Sequence, residues 1–313
     1  MDELPDFTIH HIMIYLSAKE VVQTSVLSKK WFNLYVSFAI FDFHELYKWF
    51  IGDLSNKNPA TFRKNETIRF HKRLNRFTEF VDAFLVRFSN QKLCMQKFRL
   101  LIGLLDVEAS SFLHDKWIEL ALRNGVKELD LNVQIYKNAM YTLPWTIFTA
   151  ASMNALTLEG CKLEHIPEII RLYSLKCLIL NKVAINKEIV QKLTSQCPLL
   201  EGLKVSSCVL IVRITISSYR LKKLSISSCI KLKEIEIDTP NLLYFYHSNH
   251  PILTPIVNAP CPWELHFKNA IDDLGNKVDL DAQWFLNMKD FLGVSNQIRF
   301  LVMDVWSKRV QIA

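Results

Sequence analysis

Histidine and cysteine are where chemistry would first be sought in this sequence, and three groupings offer themselves. His247-x-x-His250, with Cys261 further on, has the spacing of a partial zinc site. The two histidines close a tyrosine-rich strand pattern, however, where such residues stand as ordinary surface groups. His10 and His11 are adjacent, so they do not face one metal together. Cys161, Cys208 and Cys229 each lie five residues after a recurring leucine, a regularity that a metal or redox ladder would use. A small, weakly polar side chain packed into a turn explains it with fewer assumptions. The sequence holds no GxGxxG, P-loop, GxSxG or HExxH pattern. No catalytic residue, metal or cofactor is therefore expected, and function must come from surfaces.

The elements that would carry such surfaces come from a chain of 313 residues with 50% hydrophobic and 22% charged residues, enough to bury a sizeable core. Seven cysteines without a CxxC pair, in a chain with no basic-then-apolar leader, point away from a disulfide-stapled module and towards a reducing compartment. No apolar run approaches the roughly 18 residues of a bilayer span, so the chain reads as soluble. The net charge of +7 sits mainly in residues 62–99, where ten Lys/Arg face three Asp/Glu. That block admits a nucleic-acid or phosphate surface. Its aromatics argue otherwise: Phe77, Phe80, Val81, Phe84, Leu85 and Phe88 form one helical stripe, with Arg73, Arg76 and Arg87 off it. Nucleic-acid readers place stacking aromatics on the exposed, basic side, so the block reads first as a solvated helix face.

The first forty residues hold three short helical patterns. Pro5 suits a helix start; Ile9, Ile12, Met13 and Leu16 recur at helical spacing; Ser17 with Glu20 makes a capping box ahead of Val21 and Val22; Ser28 can cap a third helix carrying Trp31, Phe32 and Leu34. Three helices this short cannot bury so much apolar surface among themselves, so part of it should meet a partner.

On Leu4-Pro5-Asp6, Ile12, Leu16, the run Ala18–Val22 and the run Thr24–Trp31, the sequence resembles the F-box, in the form found in plant F-box/leucine-rich-repeat proteins. The resemblance implies docking on a Skp-type adaptor and, through it, on a cullin and a RING subunit of a ubiquitin ligase in the nucleus or cytoplasm. Leu4 and Pro5 would insert into the adaptor, while Ile9, Ile12, Leu16, Val22, Leu27 and Trp31 would fill or brace the interface. Ser17, Ile14 and Thr8 depart from the residues usual at their positions.

From residue 126 the sequence repeats. VKELDL, NALTL, LKCLIL, LEGLKV, LKKLSI, LKEIEI and LLYFYH are short strands with apolar alternation, and Leu129, Leu156, Leu178, Leu203 and Leu224 step by 27, 22, 25 and 21, as leucine-rich repeats do. Asn186 can cap a helix with Ile189, Val190 and Leu193 inward, ended by Cys197-Pro198. Beyond residue 200, apolar anchors recur every 9–11 residues, too short for a helix between strands. Each coil from about 200 to 268 should therefore carry an inner strand and an outer extended segment. Phe98–Ile102 is the candidate first strand, followed by a helix at 112–123 stopped by Gly125. Trp284, Phe285, Met288, Phe291 and Leu292 suggest a helix, and Ile298, Phe300 and Val302 a closing strand.

The expected fold class is thus α/β: a three-helix F-box (1–45), a basic helical connector (46–96) and a leucine-rich-repeat solenoid (97–313) with a parallel inner sheet. A solenoid offers a continuous sheet face to a partner. On that face Lys204, Lys223, Tyr244 and Tyr246 form the expected substrate-contacting patch, because tyrosines bring large area at low entropy cost. The expected function is substrate recognition for a Skp–cullin–F-box ubiquitin ligase, without catalytic groups. The alternatives are a nucleic-acid or phosphate module on residues 62–99 and a small-molecule receptor at the solenoid rim.

Overall fold

The computed structural model of the protein describes residues 4–54, 56–57, 61–104, 107–135, 140–248, 256–258, 263–268, 286, 288–289 and 298–304. The chain divides into two compact units, Met1–Met153 and Asn154–Ala313.

The first unit opens with three helices, α1 (Asp6–Ile14), α2 (Ala18–Thr24) and α3 (Lys29–Ser37). They are followed by a short strand β1 (Ile40–Asp42), helix α4 (Phe43–Ile51), the 26-residue α5 (Lys64–Ser89), strand β2 (Lys97–Leu104), helix α6 (Val107–Arg123), strand β3 (Glu128–Ile135) and the two-residue β4 (Tyr141–Thr142). The helical stripe of the basic block is realised in α5, where Phe70, Phe77, Val81, Phe84, Leu85 and Phe88 are buried. β1, β2 and β3 run parallel in the register Asp42↔Arg99↔Asp130. The strand expected at Phe98–Ile102 is β2, but it has β1 as a neighbour, so the parallel ladder begins 57 residues earlier in the chain than the sequence reading placed it. That register places one guanidinium between two carboxylates: Arg99 reaches Asp42 at 2.6 Å and Asp130 at 3.0 Å. Asp42 also caps α4 through the Glu45 amide, at 2.9 Å. α6 ends where Gly125 takes φ +63°, a left-handed value that favours glycine.

The second unit is built of coils. Its strands are β5 (Ala155–Glu159), β6 (Cys161–Lys162), β7 (Cys177–Asn181), β8 (Gly202–Ser206), β9 (Arg213–Ser217), β10 (Lys223–Ser227), β11 (Glu234–Asp238), β12 (Tyr244–Ser248), β13 (Ile256–Asn258), β14 (Trp263–Lys268) and β15 (Ile298–Asp304), with one helix, α7 (Lys187–Gln196), between β7 and β8. Among the described residues, β5, β7, β8, β10, β12, β14 and β15 form one parallel sheet, and β9, β11 and β13 form a second. The ten-residue step dictated this: the return path after residue 200 is a strand, and no helix occurs among the described residues of 200–268. Inward residues stack in register: Leu156, Leu178, Leu203, Leu224, Phe245 and Leu265 make one row of the main sheet, and Ile214 meets Ile235 in the second. All are at most 3% exposed. Each such aliphatic side chain contributes on the order of 1.5–3 kcal/mol of burial. α7 is capped by Asn186, whose side chain accepts from the Ile189 amide at 3.0 Å, and ends at Cys197-Pro198.

One turn device repeats. The residue after β5, β7, β8 and β10 (Gly160, Lys182, Ser207 and Ser228) has φ between +52° and +72°. Its N–H donates to the carbonyl that ends the next strand, at 2.7–3.1 Å. The following side chain then turns into the coil, and Cys161, Cys208 and Cys229 are fully buried there. Burial pushes the Cys161 thiol up to about 12. A Cβ at this left-handed position costs on the order of 1–2 kcal/mol, and Gly160 is the coil that escapes it. Gly160→Ala is expected to lower unfolding stability by about that amount, measured by urea titration.

Cys94 and Cys177, which lie outside that pattern, are exposed, Cys177 because it begins β7 on its outward side. Two expectations need correction. His247 is no surface group: it occupies an inward position of β12 and is 0% exposed. β15 forms, but Phe300 (63% exposed) and Val302 (46%) leave it without the one-sided burial that alternation implied. Trp284, Phe285, Phe291, Leu292, His250 and Cys261 lie outside the described residues; Met288 is helical and buried.

Candidate functional site

Two surfaces carry the candidate residues, one in each unit. In the first, α1–α3 hold one another by specific contacts. Ser17 works as an N-cap: its hydroxyl accepts from the Glu20 amide at 3.3 Å, and the Glu20 carboxylate accepts from the Ser17 amide at 2.9 Å. These hydrogen bonds hold the Glu20 carboxyl below its ordinary range. Lys30 on α3 donates to the Leu4 carbonyl at 2.6 Å and pairs with Asp6 at 3.4 Å, tying the entry segment to the helix.

The eight adaptor-docking candidates divide by burial. Ile9 (0% exposed) and Trp31 (5%) are core residues that set the helix spacing. Leu16 and Val22 are half-buried. Leu4, Pro5, Ile12 and Leu27 are exposed. The exposed apolar set is larger than the sequence reading singled out: Phe7 (75%), Tyr15 (77%) and Val26 (85%) present almost whole side chains to solvent, and Ile14 is also exposed. Helical periodicity hid them, since it reports one inward stripe and is silent about apolar residues outside it. Large exposed apolar groups on so short a segment make it a candidate interaction surface.

Part of the basic block is held by its own surroundings. Arg73 donates to the Ile51 carbonyl and pairs with Asp53 at 3.1 Å; Lys97 pairs with Glu128; Arg99 bridges Asp42 and Asp130. Arg87 lies over the Phe32 ring at 5.6 Å. The aromatics of α5 face inward, so no stacking platform accompanies the charge.

In the second unit the outward positions of the main sheet align in two rows. One runs Cys177, Gly202, Lys223, Tyr244 and Glu264; the other runs Ile179, Lys204, Ser225, Tyr246 and His266. The four residues of the expected patch therefore lie on three adjacent strands, with Lys204 and Lys223 exposed and Tyr244 and Tyr246 half-buried. The Tyr244 and His266 rings stand 5.1 Å apart, and His266 lies 3.8 Å from the Glu264 carboxylate. Partial burial, with Tyr246 and Glu264 adding to it, raises the Tyr244 phenol above its ordinary value. His266 and Glu264 extend the patch beyond the four residues chosen.

No group of three His, Cys, Asp or Glu able to hold a metal occurs among the described residues, and no described helix is long and apolar enough to cross a membrane.

Comparison with known proteins places both surfaces in context. The F-box domain model matches residues 1–34, and the model described as At1g61320/AtMIF1, LRR domain, matches residues 89–258. Among similar Arabidopsis thaliana proteins, F-box/LRR-repeat protein 13 is 30% identical over 83% of this chain and 54% of its own length. F-box/FBD/LRR-repeat protein At1g78750 is 29% identical over 92% of this chain and 58% of its own, and F-box/LRR-repeat protein At2g42730 is 28% identical over 80% and 52%. The chain spans about half the length of these curated relatives.

Proposed function

Because the chain belongs to the plant F-box/leucine-rich-repeat family, we propose that it is a substrate receptor of a Skp–cullin–F-box ubiquitin ligase. The F-box docks on a Skp-type adaptor, and the outward sheet face of the repeat unit holds a target protein. The chain supplies proximity and orientation, bringing a target lysine to a ubiquitin-loaded enzyme recruited elsewhere in the complex. It contributes no nucleophile, acid or cofactor of its own.

The observation that carries this reading is the split within the F-box: Ile9 and Trp31 build its core, while Leu4, Pro5, Phe7, Ile12, Tyr15, Val26 and Leu27 stand in solvent. A buried core of its own beside uncovered apolar side chains is what a docking module needs, and it supports this reading. The test is affinity capture of the tagged chain from plant extract, comparing the wild type with Leu4→Ala/Pro5→Ala. The wild type is expected to recover adaptor, cullin and RING subunit together, and the variant at least tenfold less of all three. Equal recovery would sink the docking assignment.

A further inference from the structure

Some lysines of this unit pair with a carboxylate, whereas the two on the repeat face, Lys204 and Lys223, belong, among the described residues, with Lys176, Lys187, Lys231 and Lys233, which do not. Lys182 reaches Glu159, Lys222 reaches Glu201, and Lys162 pairs with Glu164. Among the described residues no carboxylate lies within salt-bridge reach of Lys204 or Lys223. They sit on neighbouring strands, diagonal in register: Lys223 is opposite Gly202 and Lys204 is opposite Ser225. Diagonal positions on adjacent strands are about 7–8 Å apart. Gly202 puts no side chain between Cys177 and Lys223, so the face is notched beside Lys223; a Cβ there would meet nothing closer than 3.9 Å. Tyr244 on β12 lies opposite Lys223 and Tyr246 opposite Ser225, with His266 one strand further on β14, and Ser225 and Ser227 share the outward face of β10 with Lys223. The second sheet of the same coils carries Glu234, Glu236 and Asp238 against Arg213. On the main sheet Lys204 and Lys223 stand on adjacent strands, and the acidic outward residues Glu159 and Glu264 lie two strands away on either side, so the positive charge is local to β8 and β10.

Resting on the reading of this face as the target-binding surface, we infer that it recognises an extended acidic peptide segment of the target. The segment carries two anionic side chains, two residues apart, followed by an aromatic or proline residue. In an extended chain, residues i and i+2 point the same way about 6.6 Å apart, which matches the lysine diagonal. The anions sit over Lys204 and Lys223 with serine hydroxyls beneath, and the following ring or proline packs on Tyr244 and Tyr246. The anion is a carboxylate or a phosphorylated serine or threonine; both satisfy the same two ammonium groups.

The probe is a fluorescein-labelled dodecapeptide with a Glu-x-Glu core followed by Trp, titrated against the full chain and read by fluorescence polarisation. Parallel arms carry phosphoserine-x-Glu and Gln-x-Gln cores. The acidic peptides are expected to bind saturably, with affinity falling as salt rises, and Gln-x-Gln at least tenfold more weakly. A stronger phosphoserine arm identifies phosphate as the anion; equal arms identify plain carboxylate. Lys204→Glu/Lys223→Glu, two exposed side chains whose reversal leaves the core untouched, is expected to lose at least tenfold in acidic-peptide affinity while still recovering the adaptor. Leu4→Ala/Pro5→Ala is expected to bind the peptide as the wild type does while losing the adaptor, so this inference and the docking assignment fail separately. Equal binding of Glu-x-Glu and Gln-x-Gln, or full affinity in the lysine double variant, overturns the proposal. So does binding of a single-stranded oligonucleotide at this face in place of the peptide.

Discussion

Phe43→Ala is expected to cost the first unit about 3–5 kcal/mol of stability, the range for emptying a large buried aromatic site. Phe43 is 2% exposed, and its ring meets four others: Phe41 on β1, Phe80 and Phe84 on α5, and Phe98 on β2, at centroid distances of 5.6–6.5 Å. Three of these pairs are edge-on, a geometry that adds on the order of 0.5–1.5 kcal/mol to area burial. The Phe84 ring in turn contacts Tyr35 of α3 at 5.3 Å. The loss should therefore pass through α5 to the adaptor-docking helices, and urea unfolding should show a lowered midpoint together with weaker adaptor recovery. A conservative Phe43→Leu should keep most of both. Unchanged stability in Phe43→Ala would mean that this aromatic cluster is not the core of the unit.

A second large effect is expected from acid. His247 is fully buried in β12, stacked with Phe245 at 6.0 Å, and desolvation lowers it to about 4 despite the nearby Ile226 backbone, which opposes the shift. In the unfolded chain a histidine titrates near 6.5. At neutral pH both states hold the neutral ring, and the group has no pH-dependent effect. As pH falls below about 6.5 the unfolded state takes up a proton that the folded state refuses, so stability declines until pH reaches about 4. The difference amounts to about 3 kcal/mol across that window. Urea midpoints measured from pH 7 to pH 4 should fall steeply in the wild type and less so in His247→Leu, by about one proton's worth of slope. Identical slopes in both proteins would show that His247 is not the group responsible.

The legibility of the fold in the sequence followed the strength of its periodic signals. The ten-residue step from Leu203 to Leu265 was enough to expect two sheets rather than a sheet and helices, because no helix fits in so few residues. Asn186 and Cys197-Pro198 bounded α7 correctly, since a cap and a proline act locally. What escaped had no local signal. β1 is three residues long, and its role rests on pairing with a strand more than fifty residues away. Arg99 counted only as one charge of the basic block, because Asp42 and Asp130, which hold it, are distant in sequence. His247 looked exposed from its polar type, whereas its inward parity in the strand, two residues after Phe245, already placed it inside. In the F-box the pattern found the core residues Ile9 and Met13 but passed over Phe7, Tyr15 and Val26. Surface apolar residues are conspicuous only once the fold shows that nothing covers them.

The central claim, that the first three helices are a docking module for a Skp-type adaptor, is tested most directly by titrating purified adaptor into the purified chain in a calorimeter. The comparison is with Val26→Glu/Leu27→Glu, which alters two exposed residues at the turn between α2 and α3 and no core contact. The account predicts a saturable one-to-one complex with the wild type, with a negative heat-capacity change from apolar burial and at least a tenfold loss of affinity in the variant. No heat of binding with the wild type, or an undiminished affinity in the variant, would contradict it.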